Sequence, residues 1–349
     1  MHMADALLSP AAGGTMWAVS AGTIAYCSDR VRKELDDRKV PLMGVLGAFI
    51  FAAQMINFTI PATGSSGHLG GGLLLAILLG PYAAFLSIAS VLVVQALFFA
   101  DGGLLALGCN IFNMGFSPAF ITYPFIYKKM LGNNPSQKRL TTATLIAAVA
   151  GLQMGSFGVV LETYFSGLSA LPLSNFALLM QPIHLAIGIV EGFVTVAVVS
   201  FVYKARPEIL DGAFAVRPVG DHPVRNVLLA FLAAAILTGG IVSWFASKNP
   251  DGLEWAIARV TGNAELKGPG QGIHRALAAL QGKTAFLPDY AFKKPVEPMN
   301  EGGKPEGERG KMEGSDLGTT VAGIAGTLIT LVLAFFCGLL LKKRNKAAS

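Results

Sequence analysis

Apolar residues in this chain neither alternate nor keep to one helical face. They come in continuous runs, at residues 11–28, 41–59, 72–80, 82–100, 107–127, 141–165, 176–203, 225–247 and 319–341. Most reach the roughly 18–25 residues that a helix needs to cross a hydrocarbon core of about 30 Å. The run 72–80 is short and is expected to be a broken span. The pattern predicts an all-α polytopic membrane protein. Its seven-span core occupies residues 1–203, and a linker at 204–224 leads to a two-span C-terminal unit at 225–349. The long segment 248–318 between the last two runs is expected to begin with amphipathic helices near Leu253–Val260 and Ile273–Leu280. It continues as a stretch rich in Pro, Gly, Glu and Lys with little to bury, read as a flexible tether.

Composition agrees with this class. The chain is 53% hydrophobic and 14% charged, whereas soluble domains carry about 25% charge. Lys and Arg gather in connections 29–40, 128–140 and 204–224 and in the tail 342–349, while the short loops 60–71, 101–106 and 166–175 carry neither. The positive-inside rule then places the N-terminus outside the plasma membrane and the C-terminus in the cytoplasm. A net charge of +6 is accounted for by this topology and asks for no nucleic-acid partner. Cys27, Cys109 and Cys337 lie in or beside apolar runs without CxxC spacing and read as packing residues.

Met1 and His2 carry the first candidate chemistry. A free terminus of this kind offers the amine, the His2 amide and the His2 Nδ1, which close a five- and a six-membered ring on one ion. That leaves one corner of a square, an arrangement that suits Ni(II) or Cu(II). On the same side, the loop IPATGSSGHLGGG at 60–72 presents His68 among glycines that let backbone approach closely. His184 and Glu191 stand seven residues apart on one face of the run 176–203, and ionisable groups inside a span are functional candidates. They read as residues supporting a metal site or as a pair that holds the bundle. Asn110, Asn113 and Met114, with Asp101 just before them, are expected around the outer cavity; Glu162 lies near the outer end of its run. His222 and His274 are assigned no role.

Other chemistry is excluded by pattern. Gly282-Lys283-Thr284 resembles the end of a P-loop, but the leading glycine position is Leu277. No catalytic motif sits in a supporting context, so the chain is not expected to be an enzyme. One alternative is a membrane-embedded metalloenzyme using His184 and Glu191 as ligand and base. The other is a binding component for a non-metal vitamin, which leaves Met1, His2 and His68 without a role.

The segments MHMADALLSP, GSSGHLGGG, GGLLALGCNIFNMG and HLAIGIVEG, in that order over residues 1–203, resemble the NikM/CbiM family. These are the substrate-binding membrane components of energy-coupling-factor importers for nickel and cobalt. Residues 225–341, with NPDGLEWAI after the first run, resemble its small NikN-type partner, the PDGLE domain, here fused to the core. The resemblance implies metal ligands at Met1, His2 and His68. It also implies Ni2+ or Co2+ as transported substrate, with none bound as a cofactor, and a transmembrane coupling subunit and ATPase subunits on other chains. Ala6 and Leu7 stand where the family more often has Gly and an aromatic residue. The pairs Ala18/Gly22 and Ala21/Ala25 suit close helix approach, either to that coupling subunit or within the chain.

Overall fold

A computed structural model describes residues 2–34, 39–132, 136–205, 225–264, 266–293 and 315–346. Met1, most of the linker 204–224, with His222, and the part of the expected tether at 294–314 lie outside the described residues. The first part contains α1 (Pro10–Glu34), α2 (Lys39–Gln54), α3 (Gly72–Leu79), α4 (Pro81–Phe99) and α5 (Leu107–Ile111). α5 widens into a π-helical stretch at Phe112–Tyr127, followed by α6 (Lys128–Leu131), α7 (Gln137–Ser166) and α8 (Leu173–Ala205). The second part holds α9 (Arg225–Gly240), α10 (Gly252–Thr261), α11 (Gly272–Thr284) and α12 (Ser315–Lys346).

Pro81–Phe99, Gln137–Ser166, Leu173–Ala205 and Leu317–Leu341 are each long and apolar enough to cross a membrane, and α2 and α9 are apolar but shorter. The chain is a multi-pass membrane protein. α3 has eight residues, all buried. At about 12 Å it is a half-helix inside the bundle, as its short run suggested.

The expectation of an all-α fold needs one correction. The run 41–59 leaves the helix at Gln54, and Phe58–Ile60 pairs antiparallel with Ser65–Gly67. Non-helical backbone buried in a membrane protein must satisfy its amides within the protein, and the hairpin does so strand against strand. The turn is possible because Ala62 and Gly64 take positive φ, 63° and 73°. The run 225–247 also breaks, at Gly240, into a short 3-10 turn at Val242–Phe245.

The two parts are packed together. α12 lies along α2 and α9. A Cβ added to Gly239 of α9 would sit 3.1 Å from the backbone of Gly323 of α12, a backbone-to-backbone crossing that only small residues permit. A second apolar cluster joins the N-terminal segment to α7, α8 and α10 through Met3, Leu7, Leu8, Val160, Phe176, Leu253 and Ile257.

Candidate metal site

The N-terminal segment is folded into the protein. Met3, Leu7 and Leu8 are buried to 0–1% exposure, each burial worth about 1.5–3 kcal/mol, which opposes the fraying usual at a terminus. Asn110 clamps the backbone from the side: its Oδ1 accepts from the Met3 amide at 2.8 Å and its Nδ2 donates to the Met3 carbonyl at 3.3 Å. The Gly103 amide donates to that same carbonyl at 2.9 Å. The Asp5 carboxylate accepts from the Ala106 amide at 3.0 Å.

The loop with His68 is fixed from α8. Glu191 takes the Gly70 amide on one oxygen at 2.8 Å and the Gly71 amide on the other at 3.0 Å. Gly71 turns the chain at φ +76° into α3, a conformation that favours glycine. His68 Nδ1 lies 3.1 Å from the Leu69 carbonyl. Because a carbonyl only accepts, Nδ1 carries the proton and Nε2 keeps its lone pair.

These two segments bring His2 and His68 face to face, with ring centroids 4.9 Å apart and planes at 19°. At about 2.0 Å per metal–nitrogen bond, one ion could engage both once the rings turn edge-on. His2 Nδ1 lies 3.2 Å from Asp101 Oδ1, and its Nε2 lies 3.1 Å from Gln95 Oε1. Gln95 Nε2 donates to Gln54 Oε1 at 2.8 Å, and Gln54 Nε2 donates to the Gly70 carbonyl at 2.8 Å. Burial pushes the His2 imidazole below its ordinary 6.5, against the opposing charge of Asp101. Burial, with the His2 ring beside it, holds His68 well below that value. Both rings are therefore neutral near pH 7, the state a metal requires.

A cavity of about 730 Å³ opens beside His2, lined also by Asp5, Asp101, Asp251, Glu254 and His274 among others. An inner cavity of about 10 Å³, room for one water-sized occupant, lies between His68, His184, Met114 and Asp251.

The C-terminal unit covers this end of the bundle, and its Pro-Asp-Gly-Leu-Glu stretch explains itself residue by residue. The Pro250 carbonyl accepts from the Ser66 amide at 2.8 Å, against the hairpin. Asp251 and Glu254 form a reciprocal capping box that starts α10. Gly252 is needed because a Cβ there would stand 2.6 Å from Ile183, and Leu253 is buried at 2% exposure. Trp255 Nε1 donates to the Thr63 carbonyl at 3.0 Å. Further on, Tyr290 Oη donates to Asp101 Oδ2 at 2.6 Å. His274, given no role by the sequence, is buried with Nε2 at 2.8 Å from the Leu8 carbonyl, so it helps pin the N-terminal segment.

Comparison with known proteins places this architecture. The family model described as the cobalt uptake substrate-specific transmembrane region matches residues 2–209, and the PDGLE domain model matches 225–343. The chain belongs to the CbiM family. A fused NikMN relative from Archaeoglobus fulgidus is 32% identical over 347 residues, covering 96% of this chain and 97% of that one. The fused nickel transport protein NikMN of Rhodobacter capsulatus is 29% identical, with 83% of this chain and 88% of the relative covered. A crystal structure of a truncated transition metal transporter superposes with a TM-score of 0.52 at 34% identity, covering 59% of this chain and 99% of that one.

Within this CbiM-family chain, the structure gathers His2, His68, Asn110, Glu191 and His184 at one end of the bundle. Asn110 and Glu191 support the two segments that carry the histidines. His184 spends Nδ1 on the Met180 carbonyl at 2.7 Å and forms part of the inner cavity wall. Among the described residues no cluster of three His, Cys, Asp or Glu side chains converges to hold a metal. Asn113 binds Glu162, with Nδ2 donating at 2.7 Å. Sequence reasoning missed Gln54, Gln95 and Tyr290. The two glutamines stand as polar residues inside the apolar runs 41–59 and 82–100, a signal weaker than an ionisable group in a span because an amide carries no charge to bury.

Proposed function

We propose that this chain captures a nickel or cobalt ion at the outer face of the cell membrane and delivers it inward. It would act as the substrate-specific component of an ATP-driven energy-coupling-factor importer. The observation that carries this reading is the terminus folded beside the loop, with the His2 and His68 rings stacked at 4.9 Å in a chain of this family. The ion would be held by the Met1 amine, the His2 amide and Nδ1, and His68 Nε2. Four nitrogens in a plane favour nickel over cobalt. His2 Nδ1 lies 3.2 Å from Asp101 Oδ1, so an ion held by Nδ1 would take the place of that carboxylate.

The chain itself is a transport component and not an enzyme; ATP hydrolysis would fall to separate ATPase subunits working through a transmembrane coupling subunit. The α1 face with Ala18, Ala21, Gly22 and Ala25 is exposed among the described residues, which supports it as the docking face. Residues 1–203 would form the binding core, 204–224 a cytoplasmic linker and 225–349 a gating unit whose Pro250–Trp255 stretch closes over the hairpin. The N-terminus and the 248–318 segment would face outside. The metalloenzyme alternative gains no support, because Glu191 has one oxygen on each of two loop amides.

Metal analysis and isothermal titration of protein with an untagged N-terminus test this reading. One tightly held nickel per chain is expected, lost in both His2→Ala and His68→Ala while thermal unfolding in detergent is unchanged. Near-unaltered nickel affinity in either variant contradicts the site.

A further inference from the structure

We infer that Gln54 and Gln95 are positioning residues, a buried amide relay that sets the His2 ring for the metal and ties it to the His68 loop. The inference rests on the proposed function. Both side chains are inaccessible, Gln54 at 4% exposure and Gln95 at 0%. A buried amide left without partners is destabilising, so each group's partner is informative.

The direction of the relay follows from its far end. The Gly70 carbonyl can only accept, so Gln54 must turn its NH2 toward it. Gln54 Oε1 then faces Gln95, which must present its own NH2. Gln95 Oε1 is left facing His2 Nε2 at 3.1 Å. A neutral imidazole has one proton, and neither the Gln95 oxygen nor the Asp101 carboxylate can supply another, so once an ion takes the place of Asp101 at Nδ1 the proton stays on Nε2, facing Gln95. Nδ1 is the nitrogen that closes a six-membered ring with the His2 amide; a metal on Nε2 could not close it. The relay thus accepts the proton in the tautomer that a planar chelate needs and holds the ring in the matching orientation.

Its far end also matters. Gly70 lies two residues beyond His68, and its amide is held by Glu191 at 2.8 Å. One continuous path of hydrogen bonds, from His2 through Gln95, Gln54 and Gly70 to Glu191, therefore links the two segments that supply the ligands. On the other side of the ring, Asp101 is held by Tyr290 of the C-terminal unit at 2.6 Å. The imidazole stands between an amide that fixes its Nε2 and a carboxylate placed at Nδ1.

The test uses the full chain with a native N-terminus and nickel as the probe, with affinity read by isothermal titration and folding by thermal unfolding in detergent. Methionine is unbranched and close to glutamine in size but holds no amide. Gln95→Met is expected to lower nickel affinity about 10- to 100-fold, as loss of a ligand-orienting partner does. Gln54→Met, which never touches His2, is expected to lower it as well. Because the two act in series, Gln54→Met/Gln95→Met should cost no more than the worse single variant, whereas independent packing defects would multiply. Gln54→Glu, whose buried neutral acid offers one acceptor and one O–H donor, should bind within a few-fold of the unaltered chain. Unaltered affinity in both Met variants overturns the inference, and so do multiplying costs. If a Met variant does not fold, Gln54→Glu decides: a loss as large as that of His2→Ala overturns the relay. Should His2→Ala and His68→Ala themselves bind normally, the proposed site fails instead.

Discussion

At the scale of single residues, burial keeps the two imidazoles neutral. Metal binding is pH-dependent only through protons it displaces, and His2 and His68 have none to lose above their ordinary 6.5 because both are held lower. In the proposed site the protons left to displace are those of the Met1 amine, near 8 in a free chain, and of the His2 amide. Nickel affinity should therefore climb about 100-fold per pH unit below roughly pH 8 and about tenfold per unit above it. The imidazoles add steepness only as pH falls below 6.5 toward their lowered values. Titration across that range checks this, and a flat profile would point to carboxylate or thioether ligands. The same depression carries a stability consequence. Stability present above 6.5 is lost as pH falls through the folded-state values, so the metal-free protein should melt earlier in mild acid.

At the scale of elements, the hairpin and the glycine loop are held by one carboxylate on α8. Glu191→Gln keeps one acceptor but sets an NH2 against a backbone N–H. It should weaken nickel binding less than His68→Ala does, as titration of the two variants side by side will show. Equal loss would mean that Glu191 itself ligates. The helices were legible because a membrane demands continuous apolar length, and α10 and α11 because their apolar spacing is helical. Residues 58–67 were not. Phe58-Thr59-Ile60 extends an apolar run seamlessly, and what separates it from helix is a pairing with Ser65–Gly67 and cover from Pro250, neither of which is local. His2, His68, Asn110 and Glu191 could be singled out from residue type and place. The relay could not, because Gln54 and Gln95 acquire direction only when the Gly70 carbonyl is brought to them.

At the scale of the whole molecule, the Lys- and Arg-free loops and the described part of 248–290 meet at the end of the bundle that holds His2 and His68, and the proposed topology, argued from charge, puts that end outside. Cys27 and Cys109 are buried and Cys337 is half-buried, so in a Cys337→Ser background a cysteine introduced by Lys267→Cys should react with a membrane-impermeant thiol reagent on intact cells. One introduced by Lys204→Cys should react only after permeabilisation, and the opposite pattern would invert the topology. The proposed site makes the chain terminus itself a ligand, and nickel stoichiometry and affinity after residues are added before Met1 decide it. The addition converts the amine to an amide while every side chain stays, so the extended protein should no longer hold nickel tightly, whereas the same residues added after Ser349 should be harmless. An N-terminally extended chain, intact by mass, that still binds one nickel with unaltered affinity would contradict the account.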